Sequence, residues 1–431
     1  MLLQSNRYSS EGTAIRKTTL SSGLRVLTER ITSAHSLALG VWIDTGSRDE
    51  RPEENGISHF IEHCVFKGTK RRRTHHIAQY LESVGGYLNA FTSKDNTCYY
   101  ARVLRPHLGR AVHLLADIVL HSTFPEKEVE KEKQVILEEM RGTEDDPEEL
   151  LHEQFELQMF GRHPLGQPII GQEPQVRMFT SEHLHRFVHQ HYVGGNMVVA
   201  AAGAVDHERL VAECEKEFAT LPRGAQTRRR KPGTPPSRHH VIHRPFQQAH
   251  IIIGCAAEGY RGPRRHQLAV LNTLLGEGMS SRLFQRIRER YGYAYNIYSF
   301  LSMFTDVSVF GVYAAVDADR VTRATEVLYH ELDELTRTPV SVRELNRAKQ
   351  QLTGTLMLGL ESMTNRMTRI GRDELLYGQD VPVDELIQHI QSVTPDEIRN
   401  LATDLFRPGR LSSRTLLPGD GNVEQGTSAT G

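Results

Sequence analysis

The chain has 431 residues, 38% of them hydrophobic and 7% aromatic, with 52 Lys and Arg against 53 Asp and Glu. At about 100–200 residues per domain this length allows two to four domains, and the apolar share is enough for packed cores, which excludes a disordered chain. A formal net charge of −1 gives no overall attraction to nucleic acid or to acidic membranes, and no apolar run of about 18 residues marks a membrane-spanning helix.

Residues 16–30 (RKTTLSSGLRVLTER) read as a hairpin, with two alternating runs around Ser21-Ser22-Gly23. Residues 36–44 are a third strand, ended by Thr45-Gly46-Ser47. A helix is expected from near Ile57 towards Lys67, stopped by Gly68, and another over 75–84, closed by Gly85-Gly86. Residues 87–104 give two strands around Ser93-Lys94-Asp95. Pro106 opens an amphipathic helix to about Leu120, and Pro125 opens a long charged helix to about Gly142.

Residues 223–238 (RGAQTRRRKPGTPPSR) have linker composition, and Arg228 to Lys231 read as its solvated charges rather than as a nucleic-acid patch. Beyond it the order of elements repeats. Residues 248–256 match the 36–44 strand, helices follow over 265–276 and 280–290, residues 293–316 give two strands broken near Met303 to Asp306, and helices run on from Ala318. The expected fold class is α+β, with two similar halves, 1–222 and 239–418, each a largely antiparallel sheet covered by helices. The composition of 419–431 predicts a disordered tail. The four cysteines, Cys64, Cys98, Cys214 and Cys255, form no CxxC and read as reduced thiols. The segment Met1 to Thr28 lacks a signal-peptide core and transit-like composition, so a bacterial cytoplasm is the expected location.

The chemistry concentrates in His59-Phe60-Ile61-Glu62-His63. On a helix, residues four apart project from one face, so His59 and His63 have the spacing of two ligands to one zinc ion. Glu62 lies near the same face, where a carboxylate can take a proton from an attacking water. The order HxxEH is the reverse of HExxH. A catalytic zinc site usually has a third protein ligand, and the charged helix offers Glu132, Glu138 and Glu139. Glu132 and Glu139 are two turns apart and share a face. Periodicity leaves Glu138 and Glu139 open, because Val135 and Ile136 flank both faces; a plainly solvated helix is the other reading. The remaining histidines, among 22 in the chain, have no matching carboxylates. Leu275-Gly276-Glu277-Gly278 fits no phosphate-loop pattern.

The segment GISHFIEHCVFKGT resembles the zinc-binding helix of the pitrilysin/insulinase family of metallopeptidases, nearest to the branch of the mitochondrial processing peptidase β-subunit and its bacterial relatives. The similarity runs from about Arg16 to about Leu417. It implies Glu139 as the third zinc ligand beside His59 and His63, with Glu62 as general base and Glu132 as a supporting glutamate. Residues Asn89, Ala90, Phe91 and Thr92 are similar to the family's edge strand, to which a substrate peptide adds by backbone hydrogen bonds. The segment SSRLFQRIRERYGYAYNIYS is similar to the one carrying an Arg and a Tyr seven apart, here Arg288 and Tyr295, which hold substrate backbone and oxyanion.

The resemblance further implies peptide-bond hydrolysis with one Zn2+ per chain, since the second half has no HxxEH. Family chambers are closed by four similar units and this chain has two, so a homodimer, or a heterodimer with an inactive homologue, is implied, with Arg288 and Tyr295 serving the partner's zinc. Substrates are then unfolded or presequence-like peptides, with no nucleic acid or membrane partner. The alternative is a non-catalytic family subunit with a structural or partner role. Such chains lose His or Glu positions that are all present here.

Overall fold

A computed structural model describes residues 7–8, 15–225, 237–419 and 424–427. The chain forms two compact units. The first comprises Met1–Met140, Gln167–Arg229 and Met357–Asp384, and the second Arg141–Gly166, Arg230–Leu356 and Glu385–Gly431. Each unit thus includes a segment from the other half of the sequence.

The first unit contains strands β1 (Arg7–Tyr8), β2 (Ile15–Thr19), β3 (Arg25–Arg30), β4 (Ser36–Ile43), β5 (Tyr87–Thr92), β6 (Thr97–Leu104) and β7 (Met197–Gly203). They lie in the order β1-β2-β3-β7-β4-β6-β5. The expected hairpin pairs β2 with β3, and β3 pairs with β7 in parallel, so the sheet is mixed. β4 shows how one strand serves two layers, because successive side chains point to opposite faces. Leu37, Leu39, Val41 and Ile43 enter a core shared with helices Ile57–Cys64, Thr74–Glu82, Leu108–His121 and His207–Glu217. Ala38 and Trp42 face the other way, against Met367 and Ile370 of helix Met363–Tyr377. That helix sits close: a Cβ on Gly371 would lie 2.4 Å from Trp42 Nε1, and one on Gly40 would lie 2.5 Å from Met367 Sδ. Ion pairs pin it, with Lys17 Nζ 2.6 Å from Glu374 Oε1 and Arg366 Nη1 2.5 Å from Glu29 Oε1.

The second unit repeats the plan with β8 (His239–Arg244), β9 (Ala249–Glu258), β10 (Ala294–Met303), β11 (Val307–Val316), β12 (Ser412–Pro418) and β13 (Glu424–Thr427), ordered β10-β11-β9-β12-β8-β13. Ile251, Ile253 and Cys255 of β9 face helices Arg265–Gly276, Val321–Arg337 and Pro395–Phe406, while Ile252 faces helix Pro147–Phe160. β12 pairs in parallel with β8 and antiparallel with β9, so a strand near the chain's end fills this sheet's interior. The expected helix over 280–290 is instead a π-helical turn, Phe284–Arg290. The charged helix runs Glu126–Asp145, one turn past Gly142. Residues 226–236 of the expected linker lie outside the described residues, as does most of the expected tail. Within that tail, Glu424–Thr427 pairs with β8. Among the described residues, no helix is long and apolar enough to cross a membrane.

Candidate metal centre

Helix Ile57–Cys64 owes its placement to Ile57, Phe60, Ile61 and Cys64, all buried in the first core. That i, i+3, i+4, i+7 stripe turns the opposite face, bearing His59, Glu62 and His63, away from the core. Helix Glu126–Asp145 is anchored likewise by Val129, Ile136 and Leu137. It brings Glu132 and Glu139 to the His-bearing face.

His59 Nε2 lies 3.8 Å from Glu139 Oε1, and His63 Nε2 lies 3.6 Å from Glu139 Oε2. The three ligand atoms lie within 4.8 Å of one another. Tetrahedral zinc with bonds of about 2.0–2.2 Å separates neighbouring donors by about 3.4 Å, so this donor set fits that ion. Glu139 is the carboxylate that stands beside both imidazoles, the position periodicity alone leaves open.

Glu132 Oε1 lies 3.1 Å from His63 Nδ1, and its other oxygen lies 2.8 Å from Lys67 Nζ. A proton on Nδ1, shared with Glu132, leaves the Nε2 lone pair for a metal. Burial works to raise Glu132, but hydrogen bonds from His63 and Lys67 prevail and hold it below the usual carboxylate range. Burial, with neighbouring His63, brings His59 down to about 4, so it is neutral and competent as a ligand near pH 7. Glu62 is raised by burial, and the hydrogen bond from Thr92 Oγ1 to its Oε2, 2.6 Å long, opposes that rise.

Thr92 ends β5, the outermost strand of its sheet. Of the four residues expected on the substrate strand, Ala90 packs into the core and Phe91 against Trp42, with ring centroids 5.5 Å apart. The Asn89 side chain takes the Ala90 N–H at 2.8 Å. Arg288 and Tyr295 belong to the second unit. Arg288 lies on the π-helical turn with its guanidinium 4.8 Å from the Phe284 ring centroid. Tyr295 falls where the β10–β11 register shifts between Ala294 and Asn296, and it is 75% exposed at this sheet's edge. A π turn and a bulge are both devices that re-aim side chains at functional sites.

Three residues of this neighbourhood escape sequence reasoning. Thr92 was expected only as a substrate-strand residue, not as the partner of Glu62. Lys67 carries no signal beyond ending the helical stretch. Glu50 accepts hydrogen bonds from Gly56 N and Ser58 N, both at 2.8 Å, at the start of the His-bearing helix.

The amino-terminal part of the chain, residues 25–173, matches the model of the insulinase family of peptidases (M16), and residues 178–352 match the M16 peptidase inactive domain. An uncharacterized zinc protease of Streptomyces coelicolor is 41% identical over 94% of this chain and 89% of its own length. One of Mycobacterium tuberculosis is 42% identical over 91% of each chain, and one of Bacillus subtilis is 38% identical over 91% of this chain and 96% of its own. A Helicobacter pylori protease of known crystal structure has the same fold, with a TM-score of 0.87 at 23% identity, covering 94% of this chain and 99% of that one. The chain therefore belongs to the M16, or insulinase, family of peptidases.

Proposed function

We propose that this protein is a zinc-dependent endopeptidase that hydrolyses peptide bonds in unfolded or presequence-like peptides. The observation that carries the reading is the convergence of His59, His63 and Glu139 within 4.8 Å, with Glu62 on the same helix and tied to Thr92. His59, His63 and Glu139 would hold the zinc ion, which would supply a lowered pKa, towards about 7, for the attacking water and Lewis acidity towards the scissile carbonyl.

Glu62 takes the proton of the attacking water and later gives it to the leaving amine. Glu132 keeps His63 in the tautomer with Nε2 free. The outermost strand β5 offers backbone groups of residues 89–92 to an extended peptide. Arg288 and Tyr295 stabilise the developing oxyanion and hold substrate backbone.

One zinc per chain is part of the proposal. The only other cluster of metal-ligand type among the described residues is His330, Glu331 and Glu334. Its carboxylates are already paired with Arg286, at 2.5 and 2.6 Å. The resemblance to four-unit family chambers supports a pair of chains, alike or one inactive, closing around the substrate, with Arg288 and Tyr295 serving the partner's site. The resemblance of the HxxEH segment to the processing-peptidase branch supports presequence-like substrates, and the bacterial organisms of the relatives support a bacterial source.

The test is zinc stoichiometry on purified protein, together with cleavage of a quenched fluorescent peptide with and without a chelator. One zinc per chain and chelator-sensitive cleavage are expected. Protein with neither zinc nor cleavage would overturn the reading in favour of a non-catalytic subunit.

A further inference from the structure

We infer that Glu50 is a positioning residue of the metal centre, acting as the remote amino-terminal cap of the helix that carries His59, Glu62 and His63. The inference rests on the zinc reading above, and it assigns a function to a buried carboxylate outside the HxxEH motif.

A helix leaves its first N–H groups without partners inside the helix, and a capping side chain normally takes one of them. Here the residue at the cap position is Gly56, which has no side chain to offer. Nor could another residue stand there. Gly56 has φ +95°, and a Cβ on it would lie 2.7 Å from Gly171 Cα and 2.7 Å from Ile170 O. The cap must come from elsewhere in the chain.

Glu50 supplies it. Its Oε2 accepts from Gly56 N at 2.8 Å and from Asn55 Nδ2 at 3.3 Å, and its Oε1 accepts from Ser58 N at 2.8 Å. Both oxygens are thereby engaged, so the carboxylate fixes two successive points along the start of the helix. The residue is 6% exposed, which removes water as a substitute acceptor. Burial pushes Glu50 up to about 8, against the hydrogen bonds that favour its charged form. Burying an acid is costly, and the donors around Glu50 offset that cost, so the carboxyl group and its partners depend on one another.

The geometry couples this cap to the metal ligands. Ser58, whose N–H is held, directly precedes His59. The helix has only two turns, Ile57–Cys64, so a tilt or slip at its first turn moves both imidazoles. Glu139 sits on a separate helix, Glu126–Asp145, and does not follow such a shift. The 3.8 and 3.6 Å approaches of the two imidazoles to Glu139 therefore depend on the position of the cap. Residues that orient ligands without touching the metal typically change metal affinity by about 10–100-fold when replaced.

The experiment measures zinc affinity of the apoprotein by competition with a chromophoric chelator, with folding followed by circular dichroism and thermal melting. Glu50→Gln keeps the size but places an amide NH2 against one of the two backbone N–H groups. It should lower zinc affinity at least about 10-fold while the protein remains folded. Asp206→Ala is the control. Asp206 caps helix His207–Glu217 through Arg209 N at 3.0 Å, so its loss should lower the melting temperature and leave zinc affinity within about twofold. Should Glu50→Gln not fold, Glu50→Asp is read instead; its shorter side chain spans the two amides less well and should bind zinc at least about threefold more weakly. Zinc affinity unchanged in a folded Glu50 variant would overturn the inference while leaving the metal centre intact. A wild-type protein that binds no zinc would overturn the metal reading itself.

Discussion

Thr92 Oγ1 donates a hydrogen bond of 2.6 Å to Glu62 Oε2, so the last residue of an edge strand orients the carboxylate proposed as general base. Burial raises the pKa of Glu62 and Thr92 opposes the rise. Thr92→Val removes the hydroxyl's opposing contribution and leaves the burial, so the pKa should climb further. The acid limb of the kcat/KM profile should move to higher pH, and kcat near neutrality should fall about 3–10-fold. A profile unchanged in position would show that Thr92 does not act through Glu62.

Glu62→Gln should keep zinc and fold while reducing peptide cleavage by about 10²–10⁴-fold. Glu139→Gln should behave differently, losing metal affinity first, because its oxygens stand 3.8 and 3.6 Å from the two imidazoles. Metal analysis of the two variants side by side separates the roles. Full zinc content in Glu139→Gln would assign the third ligand elsewhere.

Lys67 Nζ lies 2.8 Å from the Glu132 oxygen that does not face His63. Lys67→Met should free that carboxylate and weaken zinc binding about 10-fold, with Glu132→Gln at least as damaging. Equal affinity in wild type and Lys67→Met, measured by chelator competition, would count against this chain of contacts.

Gly371→Ala tests the docking of helix Met363–Tyr377, since its Cβ would come within 2.4 Å of Trp42 Nε1. Overpacking of this kind costs about 1–3 kcal/mol, or about 2–4 °C in Tm per kcal/mol for a unit of this size. Trp42 is the one tryptophan in the chain, so its fluorescence reports the disturbance directly. An unchanged Tm and emission spectrum would mean that the helix shifts without cost.

Sharing of sites between subunits is tested by mixing. Glu62→Gln and Tyr295→Phe chains, each nearly inactive alone, should regain up to about a quarter of wild-type activity in random mixed dimers if Tyr295 serves the partner's zinc. No recovery in dimers verified as mixed would place both residues in one chain's own site.

Much of this was legible in the chain. The hairpin of β2 and β3, and the apolar stripe that turns His59, Glu62 and His63 outward, follow from spacing of two and of three to four residues. What stayed hidden has one physical cause, which is contact between positions far apart in sequence. β7 is buried along its whole length, so it shows no alternation to read. β12 joins its sheet from the far end of the chain, and helix Pro147–Phe160 covers a sheet built almost a hundred residues later. At the metal centre the same holds for Thr92 and Lys67, whose side chains are ordinary until the fold sets them against Glu62 and Glu132. Glu138 and Glu139, adjacent and identical, are not separated by periodicity; the family resemblance points to Glu139, and helix orientation sets its oxygens beside both imidazoles.

Helix Met363–Tyr377, which covers the Trp42 face of the first sheet, also sets a timetable for synthesis. The last strand of that sheet, β7, ends at Gly203, about 160 residues before the helix begins. At about 5–20 residues per second, the ribosome needs about 8–30 s to make the intervening chain. Throughout that interval Ala38, Trp42, Val198 and Ala200 wait on the nascent chain without their cover. The HxxEH helix is made about 300 residues before this cover, so the unit that holds it cannot close until Tyr377 has left the ribosome. A polypeptide released prematurely would therefore carry the motif of a peptidase on an open, sticky sheet, and chaperones or proteases would meet it before any substrate did.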